Sequence, residues 1–172
     1  YHFEGVGQLH ALTTGWTANT GEFYRSNTIR CIHGPNFNVL SKKEIEEFEN
    51  KRFEIDLQSN RMGFRLKSNP ICHTITPELL STAVTRGTLQ LTPAGQLIVL
   101  MADHQTTGGY PRIGTVISAD MASLAQMPIG SSFGIKWIDI QEAERLLLQQ
   151  ETNLQQLENA CKFRLQEYFS EK

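Results

Sequence analysis

The chain has 172 residues, 40% hydrophobic and 20% charged, with a formal net charge of −2. That is one domain or one and a half, long enough to bury a core without disulfide or metal staples. It excludes a broad basic field for nucleic acid, and no apolar run is long enough to span a bilayer.

Residues 1–27 carry Gly5, Gly7, Gly15 and Gly21 among scattered Thr and Asn, which predicts an irregular lead-in with a short hairpin. Thr28 to Ile32 reads as a strand, stopped by Gly34-Pro35. Ser41 and Glu44, ahead of Ile45 and Phe48, form a capping-box pattern that starts a short helix near residue 42. Phe53, Ile55 and Leu57 alternate with charged residues as a half-buried strand does. Phe64 to Leu66, Ile71 to Ile75, Thr88 to Leu91, Leu97 to Met101 and Arg112 to Ile117 continue the strand series. Pro93-Ala94-Gly95 makes a hairpin turn between two of them. Asp120 is expected to cap a short helix running to Gln126, closed by Pro128 and Gly130. Phe133, Ile135 and Trp137 give a last strand. Short strands separated by turn signals predict a mainly β fold, a barrel or a sandwich.

The texture then changes. Asp139 with Glu142 is a second capping pattern, and from Ile140 to Phe169 there is no Gly or Pro. That predicts one helix on the order of 45 Å long at 1.5 Å per residue. Leu147, Leu154, Cys161 and Tyr168 recur every seven residues, with Leu157 and Leu165 beside them and Gln150 and Arg164 interrupting the seam. Such a stripe packs on its own barrel or on another chain. The divisions expected are a lead-in at 1–27, a barrel at 28–139 and a C-terminal helix at 140–172.

The three cysteines, Cys31, Cys72 and Cys161, have no CxxC spacing and predict free, buried thiols in a reducing cytoplasm. No signal peptide is visible, since no basic start precedes an apolar stretch. The five histidines lack ligand-like spacing among themselves or with the cysteines, so no metal site is expected. G-x-S-x-G, H-E-x-x-H and Walker A patterns are missing, so any ATP is expected to bind elsewhere.

The most informative segment is Asp103-His104-Gln105-Thr106-Thr107-Gly108-Gly109-Tyr110-Pro111, which directly follows the apolar run Ile98 to Ala102. A buried strand there delivers several polar groups to one place, and Gly108-Gly109 allow close backbone approach. Asp103 could accept a hydrogen bond from an amide N–H or act as a general base; it could equally cap the turn. Gln105, Thr106 and Thr107 suit a small polar amide ligand, or hold the Gly-Gly turn. The Tyr110 phenol could orient a carbonyl, or the ring simply packs before Pro111. His104 alternates with Asp103 along an extended chain and points elsewhere in that reading. Arg61 and Arg65 can hold a carboxylate in a planar fork, or pair with Glu54 and Asp56. Gln90, flanked by Leu89 and Leu91, needs a polar partner and is placed in the same pocket as Gln105. Both polar clusters end apolar strands, so they are expected to meet at the barrel mouth.

The Asp-x-Gln-Thr-Thr-Gly-Gly-Tyr-Pro segment resembles the signature of the family that holds the C subunit of 5-oxoprolinase and allophanate hydrolase subunit 2. The carboxyltransferase domain of urea carboxylase belongs to the same superfamily. Asn60 to Leu66 is similar to the family's (D)RMGYRL, Gly87 to Leu91 to its G-x-I-Q-V/L strand, and Gly114 to Asp120 with Leu124-Ala125-Gln126 to its T-V-I-x-A-D…L-A-Q segment. The match runs over roughly residues 28 to 145. It departs at Asn60 and Phe64, where Asp and Tyr are the family's residues, at Leu97 in place of Pro, and at His104, often Arg.

The resemblance implies a cyclophilin-like β-barrel with short helices and a long C-terminal helix. It implies a component of ATP-dependent 5-oxoprolinase, a hydrolase that opens L-pyroglutamate to L-glutamate. In that reading Asp103, Gln105 and Tyr110 are catalytic, and Arg61, Arg65, Gln90, Thr106, Thr107, Gly108 and Gly109 bind the substrate. No cofactor is expected on this chain, and the complex uses ATP. The partners implied are a second subunit, of the B type in 5-oxoprolinase or the allophanate hydrolase subunit 1 type, and an N-terminal half. The chain starts at Tyr1, consistent with an excised C-terminal half. The isolated chain is then expected to be inactive. The alternatives are a biotin-dependent carboxyltransferase subunit acting on urea-derived amides, with biotin carried elsewhere because no Met-Lys-Met is present, and a non-catalytic regulatory or binding module.

Overall fold

The structure is a computed structural model that describes residues 27–73 and 79–170. The lead-in expected before residue 27 lies outside the described residues. The strands are β1 (Thr28–His33), β2 (Arg52–Ile55), β3 (Gly63–Lys67), β4 (Thr82–Ala83), β5 (Thr88–Leu91), β6 (Leu97–Leu100), β7 (Thr107–Gly108), β8 (Arg112–Val116) and β9 (Ser132–Trp137). The helices are α1 (Lys42–Phe48), α2 (Ser118–Ala125) and α3 (Ile140–Ser170).

Seven strands form a closed barrel in the order β1-β8-β5-β6-β3-β2-β9, with the parallel pair β1–β9 closing it. Alternation along each strand fills the interior. Phe53 and Ile55 of β2, Leu89 and Leu91 of β5, and Leu97 and Val99 of β6 join one core with Phe48, Phe133 and Ile135. The expected hairpin forms at β5–β6, where Gly95 adopts φ +75° and approaches Ile71 so closely that a Cβ would lie 2.8 Å from its backbone N and O.

β5 is buried at every position, Thr88 and Gln90 included. Its outer face is covered by a two-stranded ribbon, β4–β7, which sequence periodicity does not reveal because each strand has only two residues. The strand expected from Ile71 to Ile75 is not formed over 71–73: only a single bridge joins His73 to Leu40, and residues 74–75 are outside the described ones. Pro70 supplies no donor before it, and the Ile71 N–H donates to the Gly95 carbonyl.

The caps at Ser41 and Asp139 form as their patterns require, accepting from the N–H groups of Glu44 and Glu142 at 3.1 and 2.7 Å. Glu44 does not complete the reciprocal box. Its carboxylate instead accepts from Lys51 Nζ at 2.9 Å and Cys72 N at 3.2 Å. Asp120 is not the cap expected of it. α2 starts earlier, at Ser118, and the buried Asp120 carboxylate accepts from Arg30 N at 2.7 Å, from Nε at 2.9 Å and from Nη2. This fork binds α2 to β1 beside the barrel seam and raises the Arg30 pKa, the Asp120 hydrogen bonds outweighing burial.

α3 is anchored only over its first third. Leu146 and Leu147 are half-buried and Gln150 Nε2 donates to the Ala119 carbonyl at 3.0 Å. Further on, Leu154, Phe163 and Leu165 are exposed, and the Tyr168 side chain is outside the described ones. All three cysteines are free, but only Cys31 is buried; Cys72 is exposed and Cys161 intermediate, correcting the expectation of buried thiols.

Replacing Asp120 with Ala strands a guanidinium against the seam. A third of the Arg30 side chain still reaches water. The expected loss is therefore about 2–3 kcal/mol, below the full range for a buried pair. Urea denaturation should show a lower midpoint at unchanged slope; an unchanged midpoint would show that the fork does not support the seam.

Candidate active site

The register of the barrel builds the site. Arg65 of β3 lies opposite Ile98 of β6, Ile98 opposite Gln90 of β5, and Gln90 opposite Arg112 of β8. These residues form one rung and point to one face. The inner face is occupied by Leu66, Leu97 and Leu91, so the rung faces outward. Gly63 and Leu100, paired two positions along, extend the same outer patch.

On this patch is a cleft of about 270 Å³, near the lower end of the range for small-molecule pockets. Its polar lining is Gln58, Asn60, Arg65, Gln90, Gln105 and Tyr110, over apolar Met62, Ile98 and Leu100. Among the described residues, no carboxylate lines it. The cleft therefore lies on the outer wall of β3, β6 and β5 rather than at the mouth of the barrel.

Arg65 is exposed and its guanidinium has no ion pair or hydrogen bond among the described residues. The neighbouring carboxylates are already used: Lys67 lies 3.1 Å from Asp56 and 4.0 Å from Glu54. The Gln58 N–H, and then the Lys67 ammonium, hold the Asp56 carboxyl below its usual range. The structural pairing open to Arg65 in the sequence is thus not made. Its backbone is clamped instead by Ser59, whose hydroxyl accepts from Arg65 N at 3.0 Å.

Arg61 is placed differently. Its Nε lies 2.8 Å from Asp103 Oδ2 and its Nη2 3.2 Å from Oδ1, a two-point pair with both side chains exposed. The Asp103 N–H also donates to the Arg61 carbonyl at 2.9 Å. Neither residue lines the cleft; Arg61 lies between the lining residues Asn60 and Met62, and Asp103 is two positions before the lining residue Gln105. Asn60 closes its own turn, its Oδ1 accepting from Met62 N at 2.8 Å. His104 Nδ1 lies 2.6 Å from the Gln105 carbonyl.

Thr106 and Thr107 do not line the cleft; they belong to the ribbon over β5. The Thr106 carbonyl accepts from Val84 N at 3.1 Å, and Thr107 pairs with Ala83 in the ribbon. Arg112 Nη1 ties β8 to the ribbon by donating to the Ala83 carbonyl at 2.9 Å. Gly108 lies directly on Gln90: a Cβ there would meet Gln90 Nε2 at 2.3 Å. The close approach that the Gly-Gly pair permits is thus, at Gly108, an approach to a protein side chain. Gly109 is less confined, with Leu79 O and Ser81 Oγ at 3.4 and 3.5 Å from such a Cβ.

Gln58, Met62, Ile98 and Leu100 are cleft residues that motif reading does not single out. The signal for the last two was the unbroken apolar run of β6, which marks a strand covered on both faces. A wider hollow of about 620 Å³ between His33, Trp137 and Ile140 holds none of the expected site residues.

A family model for the carboxyltransferase domain, subdomains A and B, matches residues 7–137. The chain belongs to this carboxyltransferase-domain family. Among curated proteins it is 39% identical over 131 residues to the C subunit of 5-oxoprolinase from Escherichia coli (strain K12), and 35% identical to that from Haemophilus influenzae, covering 76% of this chain in both cases. The chain spans 42% of the length of each of these relatives. Among solved structures, K. lactis urea amidolyase superposes with a TM-score of 0.63 at 18% identity, over 76% of this chain and 8% of that one, a likeness of fold.

Gly108→Ala should push the Gln90 carboxamide aside and cost about 1–3 kcal/mol, as overpacking does. Gly109→Ala should cost clearly less. Comparing urea midpoints of the two variants checks this, and equal costs would show that Gly108 is not pressed on Gln90.

Proposed function

We propose that this chain forms the small-amide-binding part of an ATP-dependent 5-oxoprolinase, which opens L-pyroglutamate to L-glutamate. The observation that carries this reading is a guanidinium, Arg65, unpaired among the described residues, in a small cleft otherwise walled by neutral amides and a phenol. A carboxylate is the natural complement of that guanidinium, and the amides suit the ring's C=O and N–H. The curated relatives, C subunits of 5-oxoprolinase by name, support the same substrate.

In the reaction the ring C–N bond breaks, the hydroxyl of water joins the carbonyl carbon, and the nitrogen takes a proton. Arg65 holds the carboxylate. Tyr110 and Gln105 orient the amide from the cleft wall. Asp103, steadied by Arg61 at the rim, is the candidate proton acceptor. ATP drives the opening of this stable amide and is handled by a partner of the B-subunit type, acting with the remaining part of the present subunit. A carboxyltransferase acting on urea-derived amides, with biotin carried by another chain, is the second reading; the name of the matched family favours it.

In the full-length assembly, Arg65→Ala should weaken pyroglutamate binding by about thirty- to a hundredfold, the loss of a charge-assisted contact. Arg61→Ala should weaken it only a few-fold. Asp103→Asn should leave folding intact and cut turnover by about a hundredfold, the lower range for acid–base help. The assay is ATP-coupled glutamate release, with binding followed by calorimetry. If Arg65→Ala binds normally, the carboxylate is held elsewhere; if Asp103→Asn turns over normally, Asp103 serves only the rim ion pair. Turnover inhibited by a biotin analogue would favour the second reading.

A further inference from the structure

We infer that the distal half of α3 is a homodimer interface, which pairs antiparallel with the same helix of a second copy about a two-fold axis at Cys161.

α3 begins beyond residues 7–137, the part matched to the carboxyltransferase-domain family. Gln150 still donates to the Ala119 carbonyl of α2, but Leu154, one turn further, is 49% exposed. From there the helix runs on to Ser170, about 25 Å at 1.5 Å per residue. Each residue turns a helix by about 100°, so Leu154, Leu157, Cys161 and Leu165 lie within about 40° of one direction. They form a continuous apolar stripe, and Leu165 on it is 47% exposed. Phe163 is on the opposite face and takes no part. Most of a helix's stability in water comes from packing such a face.

The stripe is its own complement. Reversing α3 about Cys161 brings Leu157 level with Leu165 of the second copy, Leu165 with Leu157, and Cys161 with Cys161. Apolar residues meet apolar residues at each of these levels, the self-complementarity that a two-fold interface requires. The charges agree with this register. Glu158 flanks the stripe on the side of its own partner Lys162. The antiparallel arrangement sets Lys162 of the second copy on that same side, about 3 Å away along the axis. Arg164 flanks the other side, where its stem can cover Leu157 of the second copy while its head stays with Glu167. The length agrees too. The second α3, ending at Ser170, reaches the level of Thr152, just past the Gln150 contact with α2.

A parallel pair fails on both charge and space. It would place two Arg164 residues in one layer. Gln150 also lies on the same face as the stripe, so a parallel second helix would run into α2. The antiparallel seam is short and belongs to the weak, reversible class of interface, with a Kd on the order of 10 μM.

The test uses the full-length subunit. Analytical ultracentrifugation should show a dimer that forms with rising concentration. Leu154→Glu with Leu165→Glu should raise the Kd by more than about a hundredfold. The urea midpoint should not fall, because both positions are exposed. At an interaxial distance of about 10 Å, with Cα atoms about 2.3 Å from each axis, the two Cys161 Cα atoms come about 5.4 Å apart, within disulfide reach. Diamide should then join the two thiols, taking up their two electrons and two protons, and peptide mapping should find the Cys161–Cys161 link. Moving the thiol by Cys161→Ser with Leu154→Cys should abolish the link, since the two 154 positions are then about 21 Å apart. A monomer at every concentration would overturn the inference, including one whose Cys161 is shielded from a maleimide only when a partner subunit is added. So would a dimer indifferent to the Glu substitutions, a dimer that does not cross-link at Cys161, or a link at position 154.

Discussion

The site depends on the register of β3, β6, β5 and β8. Side chains alternate between faces, so the inward row Leu66, Leu97, Leu91 and the outward row Arg65, Ile98, Gln90 are set together. A slip of one residue would turn Arg65 into the core and expose leucines that are now buried. The cost of burying an unpaired guanidinium bars that arrangement. The packing that closes the barrel is thus also what brings a cation and an amide to the same level of one cleft. The bulge at Ile113 is the single departure from regular pairing along β5–β8, and it falls beside Gln90.

Two arginines four residues apart have different surroundings for the same reason. Arg65 lies within β3, where alternation directs it outward into the cleft. Arg61 lies before the strand, in the turn that Asn60 closes, and reaches Asp103 across the gap between the β2–β3 connection and the segment after β6. The rim pair is exposed, and pairs of that kind contribute little to stability. By contrast the Asp120–Arg30 fork, formed by the Asp of the T-V-I-x-A-D segment, is buried on its acidic side and joins α2 to the seam. One motif carboxylate serves the scaffold and another stands beside the cleft. In sequence the two look alike, as Asp after an apolar run.

Much of the barrel was legible because the local signals agreed: alternation in β2 and β9, the Pro93-Ala94-Gly95 turn, and caps at Ser41 and Asp139. What escaped were features set by distant residues. The β4–β7 ribbon has strands too short for any period, and its existence rests on pairing between residues about 25 positions apart. Asp120 had a local alternative as a helix cap, and a partner 90 residues away outcompeted it. Of the candidate site residues read from chemistry and motif, Arg65, Gln90, Gln105 and Tyr110 line one cleft. That the cleft lies on the wall, and that two of the motif's own residues go into a ribbon over β5 instead of lining it, follows only from the three-dimensional arrangement. α3 remains only partly used by this fold, its later exposed residues Leu154, Phe163 and Leu165 standing clear of the barrel.

The Arg65 guanidinium is proposed to hold the carboxylate of a small amide ligand in the cleft. A crystal structure of the full-length assembly with L-pyroglutamate tests it most directly. The predicted result is the carboxylate within hydrogen-bond distance of the Arg65 guanidinium and the lactam against Gln105 and Tyr110. A ligand seated on Arg61 and Asp103, with Arg65 untouched, would contradict it.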